Sequence, residues 1–213
     1  MKEGQRHRMH SFLLRWVVLC ALGLSGGLAS ALALAAPIEA IVGMMLVTPI
    51  VFAIAGSMFG AVQWLALGKK IHCAAFWIGA SAIGLGVGLT LGIVAVELLG
   101  RAITGEQVRL LAVGSVGRAL GLTLVGTITG LAVGATQRIA LRAHATVGAG
   151  WILKCVLGFG VGLPLGGLVA GLANGSLSGV IGIAIFLGVA GVVVGVVTAR
   201  AAGQIAARSV HVA

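Results

Sequence analysis

Six stretches of this 213-residue chain are apolar for the length of a bilayer crossing, and the polar residues fall between them rather than through them. They lie near 14–35, 41–67, 76–99, 119–141, 151–173 and 179–200. A hydrocarbon core of about 30 Å takes roughly 20 helical residues to cross, so each stretch is long enough to span. An open strand leaves its backbone polar groups unpaired in lipid, so the spans are predicted helical. The pattern therefore predicts an all-α integral membrane protein, a six-helix bundle forming a single membrane domain over 1–213. The second span is long, and Pro49 within it is expected to bend or cap its outer half.

The apolar pattern repeats. Three segments begin with tryptophan: WVVLCALGLSGGL from Trp16, WIGASAIGLGVGL from Trp77 and WILKCVLGFGVGL from Trp151. Each has Gly seven residues on and Gly-Leu at eleven and twelve. Three partner segments, GSMFGAVQWLAL from Gly56, GLAVGATQRIAL from Gly130 and GVVVGVVTARAA from Gly191, share GxxxGxxQ, with Thr replacing Gln in the last. Gly56, Gly60, Gln63 and Trp77 map onto Gly130, Gly134, Gln137 and Trp151 at a constant offset of 74. The chain thus reads as three tandem two-helix units, 14–67, 76–141 and 151–200.

Residues three, four, seven and eleven apart share one helix face. One face of each tryptophan helix carries Trp16, Cys20, Gly23, Gly27; Trp77, Ser81, Gly84, Gly88; or Trp151, Cys155, Gly158, Gly162. The partner helices carry Gly56, Gly60, Gln63; Gly130, Gly134, Gln137; or Gly191, Gly195, Thr198. Small-xxx-small stripes let helix backbones approach closely in lipid, so these glycines are the expected packing positions. The Gln/Thr triplet sharing the stripe is expected to face protein.

Lys and Arg counts near span ends set the orientation. With the N-terminus inside, the cytoplasmic segments hold Lys2, Arg6, Arg8, Arg15, Lys69, Lys70, Arg138, Arg142, Lys154, Arg200 and Arg208, against Arg101, Arg109 and Arg118 outside. Both termini are therefore expected in the cytoplasm, as in a multi-pass protein of a bacterial inner membrane. Met1–Ala36 imitates a signal peptide, but Trp16–Leu28 is the counterpart of two internal helices, which argues for its retention. Short outer loops are expected near Ala36–Glu39 and Asn174–Ser178. The longer segment 100–118, with Glu106 and Arg109 among apolar residues at helical spacing, reads as an extended outer loop or an interfacial helix.

Charge and composition narrow the chemistry. The net charge of +10 comes from short clusters between spans, with no basic face interleaved with aromatics, so nucleic acid is not an expected partner. Four acids, all Glu, and five histidines show no catalytic or metal-binding spacing, so neither catalysis, a metal nor a cofactor is expected. His72 and His144 occupy comparable loops, where a solvated histidine is the simpler reading. Cys20, Cys73 and Cys155 have no paired spacing. No ionisable residue sits deep in a span, which disfavours ion coupling.

What remains is Gln63, Gln137 and Thr198. They form either a polar ring about a pseudo-threefold axis or a set of interhelical hydrogen bonds. One bonded version has the Trp77 and Trp151 indoles donating to Gln63 and Gln137. The other reading makes Trp16, Trp77 and Trp151 interfacial anchors.

GAVQWLAL, from Gly60 to Leu67, resembles the GxxQW(L/V)xL element of glycine-rich, multi-spanning, uncharacterised bacterial membrane proteins. Arg138 replaces the Trp in the second copy and Gln is lost in the third. The resemblance implies a membrane location and no activity. Function is accordingly expected to be non-catalytic: packing, assembly, or binding of another membrane protein or of a second copy within the lipid bilayer. The alternative is a passive channel or transporter for a small uncharged solute or lipid.

Overall fold

The computed structural model describes residues 3–67, 74–104, 115–142, 148–173 and 179–208, and among these every regular element is helical. The helices are α1 (Glu3–Ala33), α2 (Ala35–Val42), α3 (Met44–Leu67), α4 (Ala74–Thr104), α5 (Ser115–Leu141), α6 (Gly150–Ala173) and α7 (Gly179–Arg208). All but α2 contain a stretch long and apolar enough to cross a membrane: Met9–Ala33, Leu46–Leu67, Ala74–Ile103, Val116–Leu141, Gly150–Leu172 and Ile181–Ile205. The protein is an all-α six-helix membrane bundle.

The connection between the first two spans differs from the expected loop. Residues 35–42 form the short helix α2, which buries no residue fully and packs on α1 and α3. The chain breaks at Gly43, whose φ of 78° is open to glycine and strained for other residues. Its N–H caps α2 by donating to the Glu39 carbonyl at 2.8 Å. The second span thus starts after Gly43, and Pro49 lies inside α3 without marking its boundary. Sequence pattern missed this because the apolar run continues unbroken through the turn.

The middle connection also shifts. Residues 100–104 extend α4 and 115–118 open α5, while the interfacial-helix reading of 105–114 lies outside the described residues. So do the loops carrying His72 and His144, Cys73, and the 174–178 connection.

The six long helices pack in a closed order, α1 on α3, α3 on α4, α4 on α5, α5 on α6, α6 on α7, and α7 back on α1. Two kinds of interface alternate around it. Between α1 and α3, Gly23 faces Phe59 and Val62, and Gly27 faces Ala55 and Met58. Between α4 and α5, Gly84 faces Val133 and Thr136, and Gly88 faces Thr129 and Ala132; between α6 and α7, Gly158 faces Val194 and Gly162 faces Ala190 and Val193. In the other interfaces Gly56 and Gly60 lie on Ile78, Ser81 and Ala82 of α4, Gly130 and Gly134 on Ile152, Cys155 and Val156 of α6, and Gly191 and Gly195 on Val17, Cys20 and Ala21 of α1. Lipid tails are as apolar as leucine, so this close backbone approach, rather than a hydrophobic drive, holds the helices together.

The interior is filled. Trp16, Trp77 and Trp151 are buried, as are Leu24, Leu85 and Phe159 two turns further along the same helices. From the partner helices come Phe59, Val133 and Val194, then Ala55, Thr129 and Ala190, all buried. Phe59 and Phe159 meet edge to face with ring centroids 6.2 Å apart, the preferred geometry for an aromatic pair. Phe76, Ile83, Leu91, Leu131, Ile139, Leu153 and Val196 are exposed, as lipid-facing residues are.

Candidate functional site: a buried polar layer

Ser and Thr hydroxyls in these helices bond back to the carbonyl one turn earlier, which fixes where their remaining lone pairs point. Thr198 donates to the Val194 carbonyl at 2.7 Å, and Ser81 to the Trp77 carbonyl at 2.9 Å. Each hydroxyl is thereby left as an acceptor toward its neighbours. Indole N–H, a donor with no acceptor capacity, is the natural partner. Trp16 Nε1 donates to Thr198 Oγ1 at 3.0 Å, joining α1 to α7 across 182 residues of sequence. The loss of this bond in Trp16→Phe and in Thr198→Val should cost about 0.6–1.7 kcal/mol. A double-mutant cycle on thermal unfolding in detergent checks this: the double variant should be no less stable than the worse single one.

The two glutamines do something else. Gln137 Nε2 donates to Gln63 Oε1 at 3.1 Å and to Ser81 Oγ at 2.9 Å. Gln63 Nε2 in turn reaches Cys20 Sγ at 3.5 Å. The layer thus ties α1, α3, α4 and α5 together, with Thr198 and Trp16 adding α7. Exposures of 2, 1 and 1% for Gln63, Gln137 and Thr198 place all three side chains inside protein. They are interhelical hydrogen-bonding residues in this structure.

The expected bonds from Trp77 to Gln63 and from Trp151 to Gln137 do not form. Both indole N–H groups are buried without a hydrogen-bond partner. The reason is side-chain length: Thr198 holds its hydroxyl close to its own helix, within reach of Trp16, whereas the longer glutamines carry their amides onward to each other. The tryptophans are not lipid-facing interfacial anchors either. Exposures of 0, 1 and 3% for Trp16, Trp77 and Trp151 put them in the interior, where Trp77 and Trp151 meet with centroids 6.1 Å apart. Trp64 is partly exposed and packs against the core from the last turn of α3. Ser81 and Cys20 were visible in sequence as small stripe residues, and their position four residues after a tryptophan is the signal that places them in the layer.

Charged groups keep to the periphery. Arg15 donates to the Leu65 carbonyl at 3.1 Å, satisfying a backbone acceptor in the last turn of α3. Glu97 lies two turns inside α4 because that helix runs on to Thr104, but it is exposed and its stem can snorkel. Arg118 in the first turns of α5 lines an apolar groove of about 240 Å³ with Leu122, Pro164, Gly167, Leu168 and Leu172. Among the described residues no three His, Cys, Asp or Glu side chains gather as a metal site would need.

Compared with protein-family models, curated proteins and solved structures, the chain has no match.

Proposed function

We propose that this chain is a non-catalytic integral protein of a bacterial inner membrane, both termini cytoplasmic, whose three two-helix units form one pseudo-threefold ring serving as a packing, assembly or partner-binding element. The observation that carries the reading is the filled interior. Trp16, Trp77, Trp151, Phe59 and Phe159 occupy it, and Gln63 and Gln137 spend their polar groups on each other and on neighbouring helices. A path for solute would need those bonds broken and those rings displaced. The lipid bilayer is its solvent, and another membrane protein or a second copy is its partner in assembly. The resemblance of Gly60–Leu67 to glycine-rich bacterial membrane proteins supports the same placement.

The second reading, a passive channel for a small uncharged solute or lipid, draws on the fact that a polar layer exists in the interior at all. Reconstituted liposomes separate the two. Shrinkage and swelling rates with glycerol or urea should equal those of protein-free liposomes. Flux above that baseline, lost when Gln63, Gln137 and Thr198 are replaced together, would establish the channel and remove the packing role.

A further inference from the structure

Two buried donors in the polar layer have no acceptor, while a third, chemically identical one does. Trp16 Nε1 bonds Thr198 Oγ1 at 3.0 Å, but Trp77 Nε1 and Trp151 Nε1 bond nothing, although these residues are 1 and 3% exposed. Buried N–H groups in folded proteins are almost always paired, through water where no protein atom reaches. The surroundings hold matching acceptor capacity. Gln137 spends both N–H bonds of its amide as a donor, to Gln63 Oε1 and Ser81 Oγ, so its own carbonyl oxygen is an acceptor. Gln63 Oε1 accepts one bond from Gln137 and has a second lone pair.

We infer that the tryptophan end of the helix ring is a binding site for one internal water molecule, accepting from the Trp77 and Trp151 indoles and donating to the Gln63 and Gln137 side-chain carbonyls. Two donors and two acceptors are the complement of a single water, and buried waters make about three such bonds, with a range of two to four. The indole rings are already neighbours, with centroids 6.1 Å apart, and Gln63 and Gln137 are already joined at 3.1 Å. A charged ligand is disfavoured, because among the described residues no Lys, Arg, Asp or Glu is buried around this layer. The asymmetry of the three units is what creates the site: Thr198 satisfies its tryptophan directly, whereas the two glutamines bond past theirs and leave both indole N–H groups without a protein acceptor. The site exists whether the ring serves assembly or passage.

Nuclear magnetic resonance of the full-length, tryptophan-15N-labelled protein in detergent tests this. Of the four indole N–H signals, those of Trp16 and Trp64 are assigned by their loss in Trp16→Phe and Trp64→Phe, substitutions that leave both proposed donors in place. The remaining two should show strong cross-relaxation to a long-lived water. Both cross-peaks should fall to baseline in the Gln63→Met/Gln137→Met double variant, which removes the proposed acceptors and keeps side-chain volume. Absence of both cross-peaks in the unmodified protein overturns the site, as does their survival at full intensity in the double variant. Indole Raman bands at the hydrogen-bonded position without any water cross-peak would also overturn it, by showing that the glutamine amides accept directly.

Discussion

Gly191→Leu should leave no monodisperse folded protein in mild detergent, whereas Gly188→Ala, one turn earlier on the same helix, should melt at or slightly above the temperature of the unmodified chain. A Cβ on Gly191 would come within 2.5 Å of Ala21 Cα, 2.7 Å of the Cys20 carbonyl oxygen and 2.9 Å of Ala21 N. All three are main-chain atoms of α1, so no side chain can rotate aside. Overpacking a well-filled core costs about 1–3 kcal/mol and sometimes more. Here the relief is to part α7 from α1, the interface that closes the ring between the last helix and the first. A Cβ on Gly188 meets nothing within 4 Å. There alanine gains helix propensity, worth about 0.5–1 kcal/mol over glycine in a helix interior. Size-exclusion profile and thermal unfolding of the two variants decide the matter. A Gly191→Leu protein that elutes and melts like its parent would mean that α1 and α7 are not packed in this way.

The same contrast explains which parts of the architecture could be read from sequence. The number and approximate extent of the long spans followed from apolar length, because lipid removes every alternative to a helix for most of this chain. The positions of close approach followed from spacing: Gly56 and Gly60, Gly130 and Gly134, Gly191 and Gly195 recur four apart before a polar residue, and each lies on a neighbouring backbone. Gly126 and Gly166, which approach the Phe159 and Phe186 carbonyls, have no counterpart glycine in every unit and so escaped the pattern. Helix ends were less legible than spans. The break at Gly43 was hidden in the apolar run Ala40–Val47, and α4 continues past Leu99 through Gly100 and Arg101 to Thr104. The polar layer was half legible. The triplet Gln63, Gln137, Thr198 could be found by alignment of the units, but alignment implies that like positions make like bonds. Side-chain length broke that symmetry, giving Trp16 a partner that Trp77 and Trp151 lack.

Replacing Gln137 by leucine should therefore destabilise the protein more than replacing both glutamines together does. Gln137 is the donor in two bonds of the layer, to Gln63 Oε1 and Ser81 Oγ, and it is 1% exposed. Ser81 keeps its own bond to the Trp77 carbonyl, so losing Gln137 costs it little. Gln63 is the group left short, its buried carbonyl losing the Gln137 donor, and a buried polar group stripped of a partner costs about 1–3 kcal/mol. Gln63→Leu removes the acceptor instead and leaves one N–H of Gln137 facing aliphatic carbon. In the Gln63→Leu/Gln137→Leu variant neither amide remains to be satisfied, and apolar groups of similar volume fill the layer. Interhelical hydrogen bonds within membranes contribute about 0.6 kcal/mol on average, so the double variant should lie close to the milder single one. The coupling energy read from the cycle should then be about 1 kcal/mol or more in favour of the double variant. Strict additivity in thermal unfolding would mean that the two amides are not bonded to each other, and that each faces its own partner within its unit.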